Sequence, residues 1–469
     1  MNRFSLSFVL MVVAMLMAER ADAADWSTYR GNSARTGSLD DKSGPKQPKV
    51  LWTHQSEQNF IGAPAAAGQR IFVAALGKFN TGGFSALESS AQATKRIAWA
   101  KAPPTLKLPT VSSPTIVGEM ICFGDGMHQN SGATLYACSA SSGLLLWQYM
   151  VPGELVHMEG APTVVGERLF IGAGHGGVLC LDVARLSIDG KELPAAEIRA
   201  QLDAQWKKLQ FAFEADKIKD PDFAVPPSED ALPKVSPKLV WQQGTKTWHV
   251  DAPVAVIGNR VLVASSYLDH EKSGLRAMLC LDAATGNPVW TTPLDQNPWA
   301  GATVAGEFLL FGTSNIRYEP KDIPKARGSL TALNLADGSK KWSRKLPGGV
   351  VSSVAVKGNL VVSCCTDGSV RAHDVSTGDE KWSYAAGGPL FAGPAIAGDF
   401  VYAGDLAGNV HAIGLADGKG VWKLDLNAAA GLKNARIYGA PIVHDGRIYV
   451  GTCNLDAEGG KQGLVCIGE

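Results

Sequence analysis

A strand–turn–strand unit that ends in tryptophan recurs along the chain and constrains the fold more than any other feature. It is clearest in LCLDAATGNPVW, residues 279–290, and related copies end at Trp147, Trp342, Trp382 and Trp422. In all five copies a glycine stands four residues before the tryptophan. Glycine adopts a positive φ in the turn without a Cβ clash, and tryptophan is large enough to fill the space between neighbouring sheets. The pattern predicts β-hairpins packed side by side.

Each hairpin is preceded by a second hairpin, so that one repeat contains four short strands. The upstream half begins with a small-residue motif, such as GAPTVVGERLFIGAG at Gly160 or GAPIVHDGRIYVGT at Gly439. Four-stranded repeats of roughly 40–50 residues are typical of a β-propeller. The tryptophans that we expect to dock one blade on the next are Trp52, Trp99, Trp147, Trp241, Trp290, Trp342, Trp382 and Trp422.

The spacing of these tryptophans and the two chain ends give the number of blades. Successive spacings are 47, 48, 94, 49, 52, 40 and 40 residues, and the long one contains a single start motif and therefore one blade with an insertion. LVCIGE at the C-terminus stops at a third strand, whereas KVLW at residues 49–52 is an outer strand without a blade. Their pairing completes an eighth blade and removes exposed sheet edges. We therefore predict an all-β fold, an eight-bladed β-propeller of four-stranded antiparallel blades over residues 49–469, closed by N- and C-terminal strands and preceded by a lead-in at residues 24–48.

The AxDxxTGxxxW pattern of the repeat is similar to that of PQQ-type (quinoprotein-like) β-propellers. That family includes quinoprotein alcohol dehydrogenases and BamB-like outer-membrane assembly proteins. Residues 25–37, DWSTYRGNSARTG, resemble the segment that often precedes the first blade in bacterial members. The resemblance implies the fold of nearly the whole chain, and it leaves the function open because this fold carries enzymes and scaffolds alike.

The first 23 residues have the pattern of a secretory signal peptide. Arg3 gives a positive start, residues 6–17 form an apolar run too short to span a bilayer, and Ala21-Asp22-Ala23 is a cleavage site. No cysteine follows the apolar run, so a lipid anchor is not expected. We expect a periplasmic or secreted, soluble protein without a transmembrane span in the mature chain.

The charge balance bears on the partners. Lys+Arg and Asp+Glu are both 44, which gives a net charge of zero. A nucleic-acid-binding protein would show a basic excess, so no nucleic-acid partner is expected. We expect a monomeric propeller that binds a protein or an extracellular polymer.

The eight cysteines do not suggest a disulfide framework. Cys180, Cys280 and Cys466 occupy equivalent positions in different blades, too far apart to be bridged. Cys364 and Cys365 form a vicinal pair at a strand end. PQQ dehydrogenases of the resembled family use a vicinal disulfide against the cofactor ring, although their pair lies earlier in the propeller. We expect no cofactor, with PQQ and calcium or another metal as the alternative.

The insertion spans residues 187–238 in the third blade. One apolar stripe with helical spacing is followed by a proline-rich return. Periodicity predicts a helix and leaves two roles open, packing on the propeller's own flank or docking a partner. The stripe contains Ile198, Leu202, Trp206, Leu209 and Phe213.

Propeller connectivity places two kinds of loop on one face, namely the links between blades and the hairpins that join second and third strands. Binding sites usually form on such a loop-rich face, near the axis. Its candidate ligand-binding residues are His157, Glu159, Trp248, His249, Asp251, Trp299, Arg436 and Tyr438. Arg317 and Tyr318 are among the further polar residues of its hairpins.

Histidines are concentrated on this face in three consecutive blades. Imidazoles with nearby carboxylates are the ligand set for zinc or a similar first-row metal. His157 and His249 are the stronger pair because both precede innermost strands. The five histidines are His128, His157, His175, His249 and His270, of which His157, His249, His175 and His270 are the candidate metal ligands.

Two functions remain open at this point. The main expectation is a non-catalytic, BamB-like binding or scaffold protein. The alternative is an enzyme with its site on the loop-rich face, either a PQQ-dependent quinoprotein dehydrogenase or a metal-assisted enzyme. Convergence of His157 and His249 with Glu159 or Asp251 would favour the enzyme.

Overall fold

The computed structural model describes residues 25–39, 42–128, 130–455 and 461–469. The predicted signal peptide lies outside these residues. Within them, eight antiparallel sheets surround a common axis, each built mainly from consecutive strands, which confirms the predicted eight-bladed propeller. No helix in the described part of the chain has the length and apolar character needed to cross a membrane.

The first four blades follow one another from residue 65 onwards, and the strands of each are given from the axis outwards. Blade 1 contains Ala65–Ala67, Arg70–Leu76, Gly82–Glu88 and Ile97–Lys101; blade 2 contains Thr115–Val117, Met120–Gly124, Ala133–Ser139 and Leu145–Val151; blade 3 contains Thr163–Val165, Arg168–Gly172, Val178–Ile188 and Val235–Gln243, with Lys191–Pro194 added to its third strand; blade 4 contains Ala255–Ile257, Arg260–Leu268, Ser273–Asp282 and Pro288–Pro293.

The remaining blades complete the ring, and the last one uses both ends of the propeller. Blade 5 contains Thr303–Ala305, Phe308–Ser314, Gly328–Asn334 and Lys340–Leu346; blade 6 contains Ala355–Lys357, Leu360–Cys364, Ser369–Asp374 and Glu380–Ala385; blade 7 contains Ala395–Ala397, Phe400–Gly404, Asn409–Gly414 and Gly420–Asp425, with Ser38–Leu39 parallel to its inner strand; blade 8 contains Ile442–His444, Arg447–Gly451, Gln462–Gly468 and Lys49–Ser56.

The helices are few and lie outside the blades. The α-helices are α1, Ala195–Lys219, and α2, Leu426–Ala429, and short 3₁₀ segments span Lys78–Asn80, Glu229–Ala231 and Pro320–Lys325.

Ring closure occurs in blade 8. Lys49–Ser56 pairs antiparallel with Gln462–Gly468, and Trp52 lies opposite Cys466. This is the closure predicted from the two incomplete repeats. The strand Lys49–Ser56 is therefore part of the ring, and the residues before it take no part in this strand pairing.

Tryptophans join neighbouring blades through their indole nitrogens. Trp342 Nε1 donates to the carbonyl oxygen of Val375 in the next blade at 2.9 Å, and the turn glycine of that blade, Gly378, lies against the indole ring. Equivalent bonds run from Trp52 to Ser89, Trp99 to Ala140, Trp241 to Ala283, Trp290 to Leu335, Trp382 to Leu415 and Trp422 to Pro45. Trp147 Nε1 has no acceptor, because the blade that it faces carries the insertion in place of the turn.

The lead-in lies inside the ring of inner strands. Its backbone carbonyls accept hydrogen bonds from the middle residue of the inner strand in six blades, at 2.7–2.9 Å. This segment thus closes the centre of the propeller. Residues 25–39 are called the plug below. The pairs, acceptor first, are Trp26 with Ala66, Ser27 with Ile116, Ser33 with Val256, Ala34 with Val304, Thr36 with Val356 and Gly37 with Ile396.

The insertion has a packed half and an exposed half. Ile198 and Leu202 of α1 are buried in the core between blades 2 and 3, and Trp206 and Leu209 pack on it. Phe211 and Ile218, further along α1, are 80% and 84% exposed. The N-terminal half of the helix therefore packs on the propeller's flank, and the C-terminal half projects from it.

Candidate metal centre on the loop-rich face

His157 and His249 occupy equivalent positions in the links that enter blades 3 and 4. The backbone beside each is fixed by a neighbouring hairpin. Met158 N donates to the Asp125 carbonyl at 2.9 Å, and Val250 and Gly174 exchange backbone hydrogen bonds of 3.0 and 3.1 Å. Since side chains alternate in direction along extended backbone, both imidazoles point into the same space between the two links.

Gly174 allows the imidazole of His157 to lie against the backbone of blade 3. Its φ is +53°, and a Cβ at this position would lie 2.9 Å from Nε2 of His157. Only glycine combines this conformation with that close approach. The ring of His157 is therefore held between its own link and the hairpin of blade 3.

Three imidazoles converge. His128, His157 and His249 each offer one ligand atom, and these atoms lie within 4.8 Å of one another. The ring centroids of His157 and His249 are 5.1 Å apart, and that of His128 lies 5.8 Å and 6.0 Å from them. Within the described residues this is the one group of three metal-ligating side chains at such distances.

Three carboxylates surround the histidines. Asp251 Oδ1 lies 2.9 Å from His249 Nε2 and 3.5 Å from His157 Nε2. Glu159 Oε1 lies 3.3 Å from His157 Nδ1 and accepts a hydrogen bond of 2.7 Å from the backbone N–H of His128. Glu271 Oε1 lies 2.9 Å from His128 Nε2, so each imidazole has a carboxylate neighbour.

The nitrogens of the two buried rings lie close to carboxylate oxygens but make no well-aligned hydrogen bond. His157 and His249 are fully buried, and neither Nδ1 nor Nε2 of either ring has a hydrogen-bond partner, although carboxylate oxygens lie close. Asp251 Oδ1 is likewise unsatisfied. Buried polar atoms are rarely left without partners, and several of them at one point indicate a missing ligand. The donor set, imidazole and carboxylate, fits zinc or a related first-row divalent metal.

The electrostatics of the site favour a cation. Burial lowers the pKa of His157, but Asp251 and Glu159 outweigh burial and raise it to about 8. Burial raises the pKa of Asp251, and the facing His249 and His157 outweigh this and hold it well below its usual range. A bound metal ion would take the place of the proton on the imidazole and would balance the charge of the ionised carboxylate.

Of the other two predicted histidines, His175 lies against the centre, whereas His270 does not reach it. His175 packs edge-on against His249, with ring centroids 4.9 Å apart, and its pKa is lowered by burial and then by His249. His270 is exposed on the hairpin of blade 4. Glu271, which the sequence did not single out, reaches the centre in its place.

Arg317, from the hairpin of blade 5, is the cation beside the centre. Its Nη1 lies 3.4 Å from His128 Nε2, and its guanidinium lies over the ring of Trp299 at 5.0 Å. It forms no ion pair with a described carboxylate. An anionic group of a ligand would find this guanidinium already oriented by the indole.

The remaining ligand-face candidates belong to the packing around the axis. Trp248 lies against Gly244 in the core between blades 3 and 4. Tyr438 is buried with its ring centroid 5.5 Å from that of Phe391. Arg436 pairs through its backbone with Cys453, at 2.9 Å in both directions.

The vicinal cysteines are both free and buried. Cys364 lies in the core between blades 6 and 7, and Cys365 in the core between blades 5 and 6. Burial raises the pKa of Cys365 to about 11, and Asp367 beside it is engaged by Arg371 at 2.7 Å. The two side chains thus pack in different interblade cores.

The eight blades, the plug and the histidine centre define a PQQ-repeat propeller with a histidine-rich loop face. A family model described as outer membrane protein assembly factor BamB matches residues 38–215, 231–319 and 300–467. These segments cover most of the chain, which therefore belongs to this BamB family of PQQ-repeat propellers. No protein with a curated description matches the chain.

Solved structures with the same fold include both scaffolds and enzymes. BamB from Moraxella catarrhalis is 16% identical with a TM-score of 0.57, covering 89% of this chain and 97% of its own. A europium-containing methanol dehydrogenase is 13% identical with a TM-score of 0.60, covering 95% and 98%. Quinohemoprotein alcohol dehydrogenase from Comamonas testosteroni is 13% identical with a TM-score of 0.62, covering 97% and 82%. At these identities the similarity establishes the fold alone.

Proposed function

We propose that this protein is an exported, monomeric propeller that binds a divalent first-row metal through His128, His157 and His249 and acts through it as an enzyme. The convergence of the unpartnered ring nitrogens of His157 and His249 supports the proposal. A scaffold has no need of two fully buried imidazoles that share one carboxylate without well-aligned hydrogen bonds, because poorly satisfied buried polar atoms cost stability.

Charge supports the same proposal. Glu159, Asp251 and Glu271 carry three negative charges, and Arg317 carries one positive charge, so the centre with neutral imidazoles has a net charge of −2. A divalent ion neutralises it. Asp251 touches both buried imidazoles and can act as a ligand or orient them, whereas Glu271 holds the His128 ring, as outer carboxylates do at metal sites.

The surrounding residues favour an anionic substrate and a hydrolytic reaction. A bound divalent metal supplies Lewis acidity and lowers the pKa of a water molecule. Arg317 would receive a carboxylate or phosphate group of the substrate, oriented by Trp299. Glu159, which faces His157 and is part-exposed, is the group placed to take up a proton.

Metal analysis of the purified protein tests this function. Protein purified without chelator should hold about one equivalent of a first-row metal. A variant with both His157→Ala and His249→Ala should lose it, and the exposed His270→Ala should retain it. An apoprotein that binds neither Zn²⁺ nor Co²⁺ would refute the metal function, and a quinone absorption band would support the PQQ dehydrogenase instead.

A second function, the binding of a protein partner, is favoured by the insertion. Phe211, Ile218, Phe223 and Val225 are each at least 80% exposed and follow one another along the outer half of α1 and its return. Contiguous exposed apolar side chains usually mark an interaction site. Family membership supports a protein partner. The insertion joins third and fourth strands, so it lies on the side opposite the loop-rich face and can bind a partner without covering the histidine centre.

A further inference from the structure

The links of the loop-rich face carry one equivalent position that differs in character around the ring. In blades 3 and 4 it holds Glu159 and Asp251, each four residues before the inner strand that begins at Thr163 or Ala255. In the other six blades the equivalent residue is apolar or aromatic. These residues are Ile61, Val111, Trp299, Val351, Phe391 and Tyr438. The repeat thus places acids in two adjacent blades and apolar side chains in the rest of the ring.

The apolar positions form a cluster that adjoins the histidine centre. Four of them, in the links that enter blades 5 to 8, are buried together, and Leu155, two residues before His157, packs against them. Arg317 joins the two regions, because its guanidinium lies over the Trp299 ring and its Nη1 is 3.4 Å from His128 Nε2. An anionic group bound by Arg317 would therefore have the histidine centre on one side and apolar side chains on the other.

Tyr318, the next residue after Arg317, is fixed against this cluster. Its hydroxyl donates to the Val351 carbonyl at 2.6 Å, and its ring stands edge-on to that of Phe391, with centroids 5.9 Å apart. The side chain thus runs from the hairpin of blade 5 to the links that enter blades 6 and 7. Although it is held at both places, Tyr318 is 40% exposed.

The hydroxyl of Tyr318 lies near the acids of the centre, and the exposed area belongs to its ring. Burial raises the pKa of Tyr318, and Tyr29, Glu159 and Asp251 raise it further. A hydroxyl that is buried and subject to the charge of both acids is close to the histidine centre. The ring therefore forms an exposed wall beside Arg317. A ring that is already fixed can pack on a planar group with little loss of side-chain entropy.

We propose that the substrate of the metal centre carries an aryl group beside the anionic group received by Arg317, and that the ring of Tyr318 binds this aryl group. The inference rests on the proposed function, which supplies the metal and the anion, and it adds the organic part of the substrate. A flat aryl ring covers the wall of Tyr318 more completely than a short aliphatic group does. Tyr318 is therefore the specificity-determining residue of the site.

Two phosphonates with the same anionic group test this aryl subsite. Phenylphosphonate and methylphosphonate contain no bond that hydrolysis breaks readily, so isothermal titration at a pH where both are dianions measures binding alone. The full mature protein should bind phenylphosphonate roughly tenfold more tightly, because the phenyl group is buried and packs on an aromatic ring. The preference should be present with and without bound zinc, since it comes from Tyr318. Equal affinities of the wild-type protein for both phosphonates would refute the subsite.

Three variants assign the preference to one ring. Tyr318→Ala should reduce it to less than about twofold, whereas Tyr318→Phe, which keeps the ring, should retain it. Tyr267→Ala is the matched control, because this tyrosine of the blade 4 hairpin lies under the guanidinium of Arg276, 5.5 Å from its ring centroid, and the variant should retain the preference. A preference that survives Tyr318→Ala would overturn the assignment.

The two proposals can fail separately. A phenyl preference in protein that binds no zinc would refute the metal function and support the aryl subsite. Zinc binding together with equal phosphonate affinities would refute the subsite alone. The wild-type comparison decides the matter if Tyr318→Ala does not fold.

Discussion

Trp342 donates its indole N–H to the carbonyl oxygen of Val375 in the following blade, whereas Trp147 at the equivalent position of blade 2 has no acceptor. Both side chains are buried, at 7% and 2% exposure. Two buried tryptophans in one ring thus differ in their indole hydrogen bond. Comparing them separates the contribution of tryptophan packing to stability from that of the hydrogen bond.

We expect Trp342→Phe to destabilise the propeller more than Trp147→Phe. Each substitution removes a similar volume, but only the first breaks a hydrogen bond to a buried carbonyl, which costs roughly 1–3 kcal/mol. Urea unfolding of the two variants measures the difference. Equal losses would show that the indole hydrogen bond contributes nothing to blade docking.

Gly174 and Gly166 provide a matched pair for the geometry of the metal centre. Both have a positive φ, +53° and +57°, but a Cβ at Gly174 would lie 2.4 Å from the Leu155 carbonyl oxygen and 2.9 Å from the His157 ring, whereas nothing lies within 4 Å of one at Gly166. Alanine at either position should cost about 1 kcal/mol in backbone strain, and the contact with the Leu155 carbonyl adds to this cost at Gly174. Only Gly174→Ala should also weaken metal binding, by roughly tenfold or more, because it displaces the His157 ring.

Isothermal titration with Zn²⁺ measures both variants. If Gly174→Ala binds zinc as tightly as Gly166→Ala, the expected displacement of the His157 ring does not affect binding, and the prediction is wrong.

Metal affinity should depend on pH through His157. Its pKa is raised to about 8, and a metal binds only the neutral imidazole. At pH 7 zinc must therefore displace a proton, and affinity should fall by roughly tenfold per pH unit below about 8. Titrations in buffers of different ionisation enthalpy would count the released protons. Release of no proton at pH 7 would contradict the raised pKa.

The sequence predicted the ring because its signals are local. The turn glycine and the tryptophan of each repeat, such as Gly378 and Trp382, are set by a few neighbouring residues, and the incomplete repeats at both ends specified the closing strand. The structure confirmed the predicted eight blades and the closure, and the family match confirmed the predicted family. The plug was recognised as a lead-in, but its path was not predicted, because its bonds to six inner strands join residues distant in sequence.

The composition of the histidine centre was only partly predictable. The links of blades 3 and 4 have the same alternation, so His157 and His249 could be paired from sequence. The hairpin of blade 4 has an irregular register between Ser265 and Tyr267, and such a shift changes which side chains face the axis. The sequence prediction named His270 as a hairpin-tip histidine, whereas Glu271 contacts the site.

His373 should make the stability of the ring depend on pH. It is 1% exposed in blade 6, and burial, with Arg371 and Arg344, lowers its pKa to about 4. The unfolded chain takes up its proton near pH 6.5, so stability is full above that pH and is lost as pH falls toward 4, by up to roughly 3 kcal/mol.

His373→Asn isolates this effect. The difference in unfolding free energy between wild type and variant should be constant above pH 6.5 and shift against the wild type between pH 6.5 and 4. A difference that does not change with pH would show that the His373 pKa is not lowered in the folded protein.

Two truncations separate the plug from the closing strand. Removal of residues 25–37 takes away the carbonyl acceptors of six buried inner-strand N–H groups and the side chain of Trp26, which is 1% exposed, but leaves Lys49–Ser56 paired with Gln462–Gly468. Buried donors without partners are costly, so we expect a closed ring that melts in one transition at a lower Tm. Removal of residues 25–56 also opens blade 8 and exposes sheet edges, and should lower Tm further and favour aggregation.

Calorimetry of both proteins, with a synthetic peptide of residues 25–39 added in trans, makes the comparison. The peptide should raise the Tm of the shorter truncation only. An unchanged Tm after removal of residues 25–37 would show that the plug adds nothing to the ring.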